Sequence, residues 1–141
     1  MYLFDTDHFG IYQQKSGPDC AKLVARMSER NYEDLFVPII SFHEQVMGWS
    51  TYLHQKRNAE QVIRAYRRLE AILHDFAKAD VVGFDALASD TFDALRSQGV
   101  RVGTMDLRIA AIALSRGWTV LTRNAVDFAK VPNLKIEDWT I

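Results

Sequence analysis

With a single cysteine, Cys20, the chain can form no internal disulfide, and the lone thiol suits a reducing compartment. Beside Ala21 and Leu23 on a predicted helix, Cys20 reads as a packing residue. No apolar run approaches the ~18 residues that a membrane span needs. A secretory signal is not expected, because Asp5 and Asp7 interrupt the opening stretch. Neither sign of charge is in excess: 17 Lys and Arg stand against 18 Asp and Glu, a net charge of −1. That balance argues neither for nor against nucleic acid, because the distribution of the charges matters more than their sum. Three prolines and seven glycines are too few for a linker or a low-complexity segment, and no repeat is visible. What remains is an expectation of one cytoplasmic domain, residues 1–141, long enough to bury a core.

The chain opens Met1-Tyr2-Leu3-Phe4-Asp5-Thr6-Asp7-His8. An apolar run ending in acidic residues predicts a buried strand, with Thr6 or Asp7 capping a short helix over His8–Gln14. Pro18 suits the first position of a helix reaching about Arg30. Leu35 to Ile40 predicts a second strand, and Pro38 makes it either an edge or nearly finished there. Ser41-Phe42-His43-Glu44 opens a helix to about Gln55. Asn58 and Gln61 suit a new start, with Val62, Ile63, Tyr66, Leu69, Leu73 and Phe76 at helical spacing to about Lys78. These two helices predict a hairpin arm. Val81–Phe84 predicts a third strand, Asp85 a cap for a helix over Ala86–Gln98, and Gly99 its stop. A helix begun by Asp106 is apolar nearly all round from Leu107 to Arg116, and so should be buried on more than one side. Trp118–Thr122 and Leu134–Ile136 complete the strands. Alternating strands and helices predict an α/β fold with a parallel sheet whose strand ends share one rim.

Acidic residues fall just after strands or at helix starts in four places: Asp5 with Asp7, Glu44, Asp106 and Asp127. Each has a plain structural explanation. Asp5 or Asp7 can cap a helix, Ser41-x-x-Glu44 matches a capping box, Asp106 suits a helix dipole, and Asp127 can be a solvated turn residue. Gathered at one rim they demand more. Carboxylates within ~5 Å repel by roughly 3 kcal/mol per pair at an effective dielectric near 20. Protonation or a bound cation must compensate. An oxygen-only cluster suits Mg²⁺ or Mn²⁺. His8 and His43 lack the spacing of a zinc site and read as surface or packing residues. A cation held by Asp5, Glu44 and Asp106 would support hydrolysis of a phosphodiester. Ser41 or Thr122 would hydrogen-bond those ligands or a phosphate.

The pieces Tyr2–Asp7, Ser41-x-x-Glu44 with Gly48, Gly103–Ala111, Leu121–Asn124, Asp127-Phe128 and Glu137-Asp138-Trp139 lie in one order along the whole chain. In that order and spacing the chain resembles the PIN-domain ribonucleases, and among them the VapC-type toxins of bacterial type II toxin–antitoxin pairs. The resemblance implies a PIN fold, with a central parallel sheet of four to five strands, flanking helices and the hairpin arm. It implies Mg²⁺- or Mn²⁺-dependent endoribonuclease activity on RNA, a homodimer, and a small antitoxin that wraps the toxin and blocks its site. Asp5, Glu44 and Asp106 match the family's principal acidic positions. Where many PIN domains carry a further Asp, this chain has Asn124, which can coordinate or hydrogen-bond through its amide oxygen but brings no charge. Asp127 is the candidate to supply that charge as a fourth catalytic residue. Asp7 stands where related chains often have Asn.

The cations Lys56, Arg57, Arg64, Arg67 and Arg68 are opposed in their stretch only by Glu60 and form either an RNA-binding face or a solvated helix face. Arg123, which follows the strand end beside Thr122 and Asn124, is the stronger candidate for an RNA contact. Trp49, Tyr52 and Tyr66 can stack on bases or pack on a protein partner. One competing reading is a degenerate PIN module that binds RNA or a partner without cleavage, and Asn124 is the feature behind it. Asp5-x-Asp7 also resembles the opening of haloacid-dehalogenase-type phosphatases, but Phe9 stands where that motif wants Thr or Val. A receiver domain would need an acceptor such as Asp85 and a partner Lys that is not evident.

Overall fold

A computed structural model describes residues 1–141. Five short strands form one parallel sheet: β1 (Tyr2–Phe4), β2 (Leu35–Pro38), β3 (Val81–Val82), β4 (Thr119–Leu121) and β5 (Lys135–Glu137). Their order is β3-β2-β1-β4-β5. The helices between them are α1 (Thr6–Gln14), α2 (Pro18–Ser28), α3 (Ile39–His54), α4 (Ala59–Lys78), α5 (Ala86–Ser97), α6 (Thr104–Arg116) and α7 (Ala125–Phe128). The α/β parallel sheet expected from the alternation is present, with five strands. No helix is long and apolar enough to cross a membrane.

The strands' period of two divides the core. Leu3 and Val120 face a cluster with α5 and α6, including Ala88, Phe92, Ile109 and Ile112. Phe4 and Leu121, one residue on, face the other cluster with Phe9, Leu23, Ile72, Phe76 and Trp139. A sheet covered on both faces needs apolar residues at successive positions, as these strands have. Leu107 and Ile109 to Ala113 are all buried, as the unbroken apolar run of α6 required.

Several boundaries differ from the sequence reading. Of the caps expected for α1 (Asp5, Thr6 or Asp7), Asp5 is the one present, its side chain accepting the backbone N–H of His8. Pro38 ends β2, which lies inside the sheet, so the strand finishes at the proline rather than forming an edge. α3 begins at Ile39 with Pro38 in the capping position. Ser41 is therefore already inside the first turn and forms no capping box with Glu44. The box at Asn58 and Gln61 is present in both directions, 2.9 and 3.0 Å. α6 starts at Thr104, two residues before Asp106. On α4, Ala65, Ile72 and Phe76 turn inward, whereas Ile63, Tyr66 and Leu73 are more than half exposed.

The sheet order reverses at β1: the chain runs outward through β2 and β3, then returns to place β4 on the other side. Ligands of open α/β sheets bind beyond the carboxyl ends of strands at such a switch.

Candidate active site

Asp5 follows the end of β1, and its backbone N–H continues the ladder to Leu121 O at 2.9 Å. Asn124 follows the end of β4, on the other side of the switch. Glu44 comes from α3, which leaves the end of β2. Asp106 comes from the first turn of α6, whose N-terminal end reaches the same rim because the helix then runs back toward the start of β4. These four residues, with Thr6, Asp7, Gly10, Ile11 and Gln14, line one cleft of about 470 Å³.

Asp5 is 4% exposed, and its Oδ1 accepts the His8 amide at 2.7 Å. Glu44 is set by a relay. Thr6 donates its hydroxyl proton to Glu44 Oε1 at 2.7 Å. That hydroxyl has one proton, so the contact at 2.9 Å between Thr6 Oγ1 and the fully buried Ser41 Oγ must have Ser41 as donor. Ser41 thus acts on Glu44 through Thr6. Asp106 is half-buried. Burial, then the negative charges of Glu44, Asp5 and Asp127, raise its carboxyl above the ordinary range, while a hydrogen bond from Asn124 pulls the other way.

Asn124 sits between two acids. Its side-chain N–H₂ donates to Asp127 Oδ2 at 3.0 Å and approaches Asp106 Oδ2 at 3.4 Å. The amide nitrogen, rather than the oxygen, faces the carboxylates. Asp127 stands outside the set that lines the cleft. Lys130 Nζ pairs with it at 2.6 Å, and that bond first, then the one from Asn124, holds its carboxyl below the ordinary range. Thr122 is 1% exposed, and its hydroxyl accepts the Asn124 amide at 2.8 Å, which shapes the turn that carries Asn124. Asp7 lines the cleft and lies 3.5 Å from Arg123, which also pairs with Asp19 at 3.0 Å. Arg57 is likewise engaged, 3.6 Å over the Tyr52 ring and bonded to Tyr52 O. Arg64, Arg67 and Arg68 are exposed on α4.

Two residues gained a place that the sequence had not given them. Thr6 was expected as a cap and instead orients Glu44; its position directly after Asp5 was the available signal. His8, read as surface or packing, is fully buried between Asp5 and the C-terminal segment. A larger groove of about 630 Å³, lined by Gln13, Gln45, Trp49, Tyr52 and Arg68 among others, adjoins the cleft and shares Gly10, Gln14 and Glu44 with it.

The donors of the cleft are hard oxygens, which fits Mg²⁺ or Mn²⁺. The crowding that burdens Asp106 is the kind a cation relieves. The set is open, however: no three Asp, Glu, His or Cys side chains stand close enough to hold one ion as placed.

The chain is 26% identical to "Ribonuclease VapC2" of Rickettsia felis over 139 residues, 99% of this chain and 98% of that one. It superposes on VapBC-1 from nontypeable Haemophilus influenzae with a TM-score of 0.74 and 26% identity, over 99% and 98% of the two chains. The fold is that of a VapC-type PIN domain. The resemblance read from the sequence is thereby borne out. A further VapC relative, "tRNA(fMet)-specific endonuclease VapC" of Salmonella typhimurium, is 32% identical over 85 residues, 57% of this chain. That match spans 64% of the relative's length. No protein-family model matches the chain.

Proposed function

We propose that this chain is the toxin of a toxin–antitoxin pair, an endoribonuclease that hydrolyses RNA phosphodiester bonds with Mg²⁺ or Mn²⁺. The observation that carries the reading is the meeting of Asp5, Glu44 and Asp106, from three separate segments, in one cleft at the switch point of a VapC-type fold. VapC relatives named as ribonucleases support the reaction class. The VapBC-1 likeness supports an antitoxin as partner.

Asp5, Glu44 and Asp106 would hold the cation, which supplies an activated water and charge stabilisation at the phosphate when bound. Thr6 and Ser41 keep Glu44 turned in the right direction. Asn124 bridges Asp106 to Asp127 and holds the second wall of the cleft. Arg64, Arg67 and Arg68 offer phosphate contacts along α4, which makes binding salt-dependent. The exposed apolar residues Ile63, Tyr66 and Leu73 offer a surface for the antitoxin or for a second copy in a homodimer. The reading places the protein in the cytoplasm, as one domain over residues 1–141.

The test is cleavage of a small-RNA pool by purified, antitoxin-free protein with Mg²⁺, Mn²⁺ or chelator, beside Asp5→Asn. Metal-dependent cutting that disappears in the variant supports the site. Folded protein that binds RNA and never cuts would replace it with a binding module.

A further inference from the structure

On the reading just given, one oxygen of Asp5 must be free for a cation and the other fixed by the protein. His8 stands where it can do the fixing. It lies in the first turn of α1, is 0% exposed, and its backbone N–H donates to Asp5 Oδ1 at 2.7 Å. Its ring is held from the opposite end of the chain: the backbone N–H of Trp139 donates to Nε2 at 3.2 Å. A backbone N–H can only donate, so Nε2 must carry the lone pair, and a neutral ring then bears its proton on Nδ1. Nδ1 is the sole buried side-chain nitrogen or oxygen without a hydrogen-bond partner. Asp5 Oδ1 lies 3.6 Å from it, just beyond hydrogen-bonding range. Asp138 Oδ1 also lies near the ring, 3.4 Å from Nε2, but that oxygen already accepts the Thr140 amide at 2.8 Å and the Thr140 hydroxyl at 2.6 Å. A buried donor with no acceptor is costly, and a small turn of either side chain brings Nδ1–H onto Asp5.

We propose that His8 is a positioning residue for Asp5. Its backbone N–H and Nδ1–H together hold Oδ1 inward, which leaves Oδ2 for the cation, and the Trp139 amide fixes the tautomer that makes this possible. No hydrogen bond within the chain engages Oδ2. The C-terminal strand β5 and the residues after it thereby support a site whose acids all lie elsewhere in the sequence.

The first arm of the test needs no variant. Nitrogen-15 NMR of the His8 ring in the metal-free wild type should show a protonated Nδ1 and a bare Nε2. A proton on Nε2, in either the other tautomer or the imidazolium, would overturn the proposal. The second arm compares wild type, His8→Leu, His8→Asn and Asp5→Asn by calorimetric Mn²⁺ titration and by RNA cleavage. His8→Leu should weaken Mn²⁺ binding and lower kcat by about 10–100-fold with KM for RNA unchanged. His8→Asn, with an N–H near the place of Nδ1, should recover most of both. Wild-type behaviour of His8→Leu, beside loss of Mn²⁺ binding in Asp5→Asn, overturns the positioning role alone. Absence of Mn²⁺ binding by the wild type overturns the metal reading and the proposal with it.

Discussion

Asp106 and Asp127 share one amide group, that of Asn124, yet their carboxyls are driven in opposite directions. Asp106 is half-buried, faces Glu44 and Asp5, and is raised. Asp127 is met by Lys130 and lowered. The pair shows that an acid's position along a sequence says little about its chemistry, and that its neighbours and solvent access decide it. One side of Asn124 stores charge that a cation would relieve. The other is an ordinary ion pair.

The largest effect should come from removing the stored charge. Asp106→Asn should lower metal-dependent cleavage by at least about a hundredfold, measured as kcat/KM, while raising the melting temperature of the chelator-treated protein. The sign of the pH dependence follows. A carboxyl raised in the fold binds more protons in the native than in the unfolded state above its ordinary value of 3.8. The contribution of Asp106 to the stability of the metal-free protein should therefore fall as pH rises from below that value through the folded pKa, against the opposite contribution of lowered carboxyls such as Asp127. Melting curves from pH 3 upward, over about the range of a carboxylate titration, should show wild type losing stability relative to Asp106→Asn as pH rises. Equal slopes would mean that Asp106 does not carry the burden.

Asn124→Asp is the next largest. It adds a like charge between two acids and should lower the melting temperature in chelator, with recovery on adding Mn²⁺. Recovery should be larger than in wild type, since the added oxygen is also a ligand. Thr6→Val comes third. It keeps the shape, cuts the relay to Glu44 and strands the Ser41 hydroxyl, at a cost of about 1–3 kcal/mol by denaturant unfolding and about tenfold in cleavage. Smallest is Asp127→Asn, where an exposed pair with Lys130 is lost. Melting temperature should stay within experimental error.

The sequence made the fold legible because each strand is a short apolar run ending in a polar break and each helix carries its own stop or cap. The run Leu107–Leu114 announced a buried helix, and α4 was readable from Asn58 to Lys78 because its capping box is local. Ser41-x-x-Glu44 misled for the opposite reason. The same two residues that make a capping box locally are here a buried hydroxyl and a cleft carboxylate joined through Thr6, 35 residues from Ser41. The gathering of Asp5, Glu44 and Asp106 could be anticipated from strand ends. The exclusion of Asp127 from the cleft could not, since it depends on Lys130 lying one turn away on the exposed side. His8 was illegible altogether: its partner Trp139 is 131 residues distant.

The central claim is that the half-buried side of this comparison is a metal site and the exposed side is not. Calorimetric titration of Mn²⁺ into antitoxin-free wild type, Asp106→Asn and Asp127→Asn tests it most directly. Binding by wild type and Asp127→Asn, with loss in Asp106→Asn, is the expected result. Binding that survives in Asp106→Asn and is lost in Asp127→Asn would contradict the account.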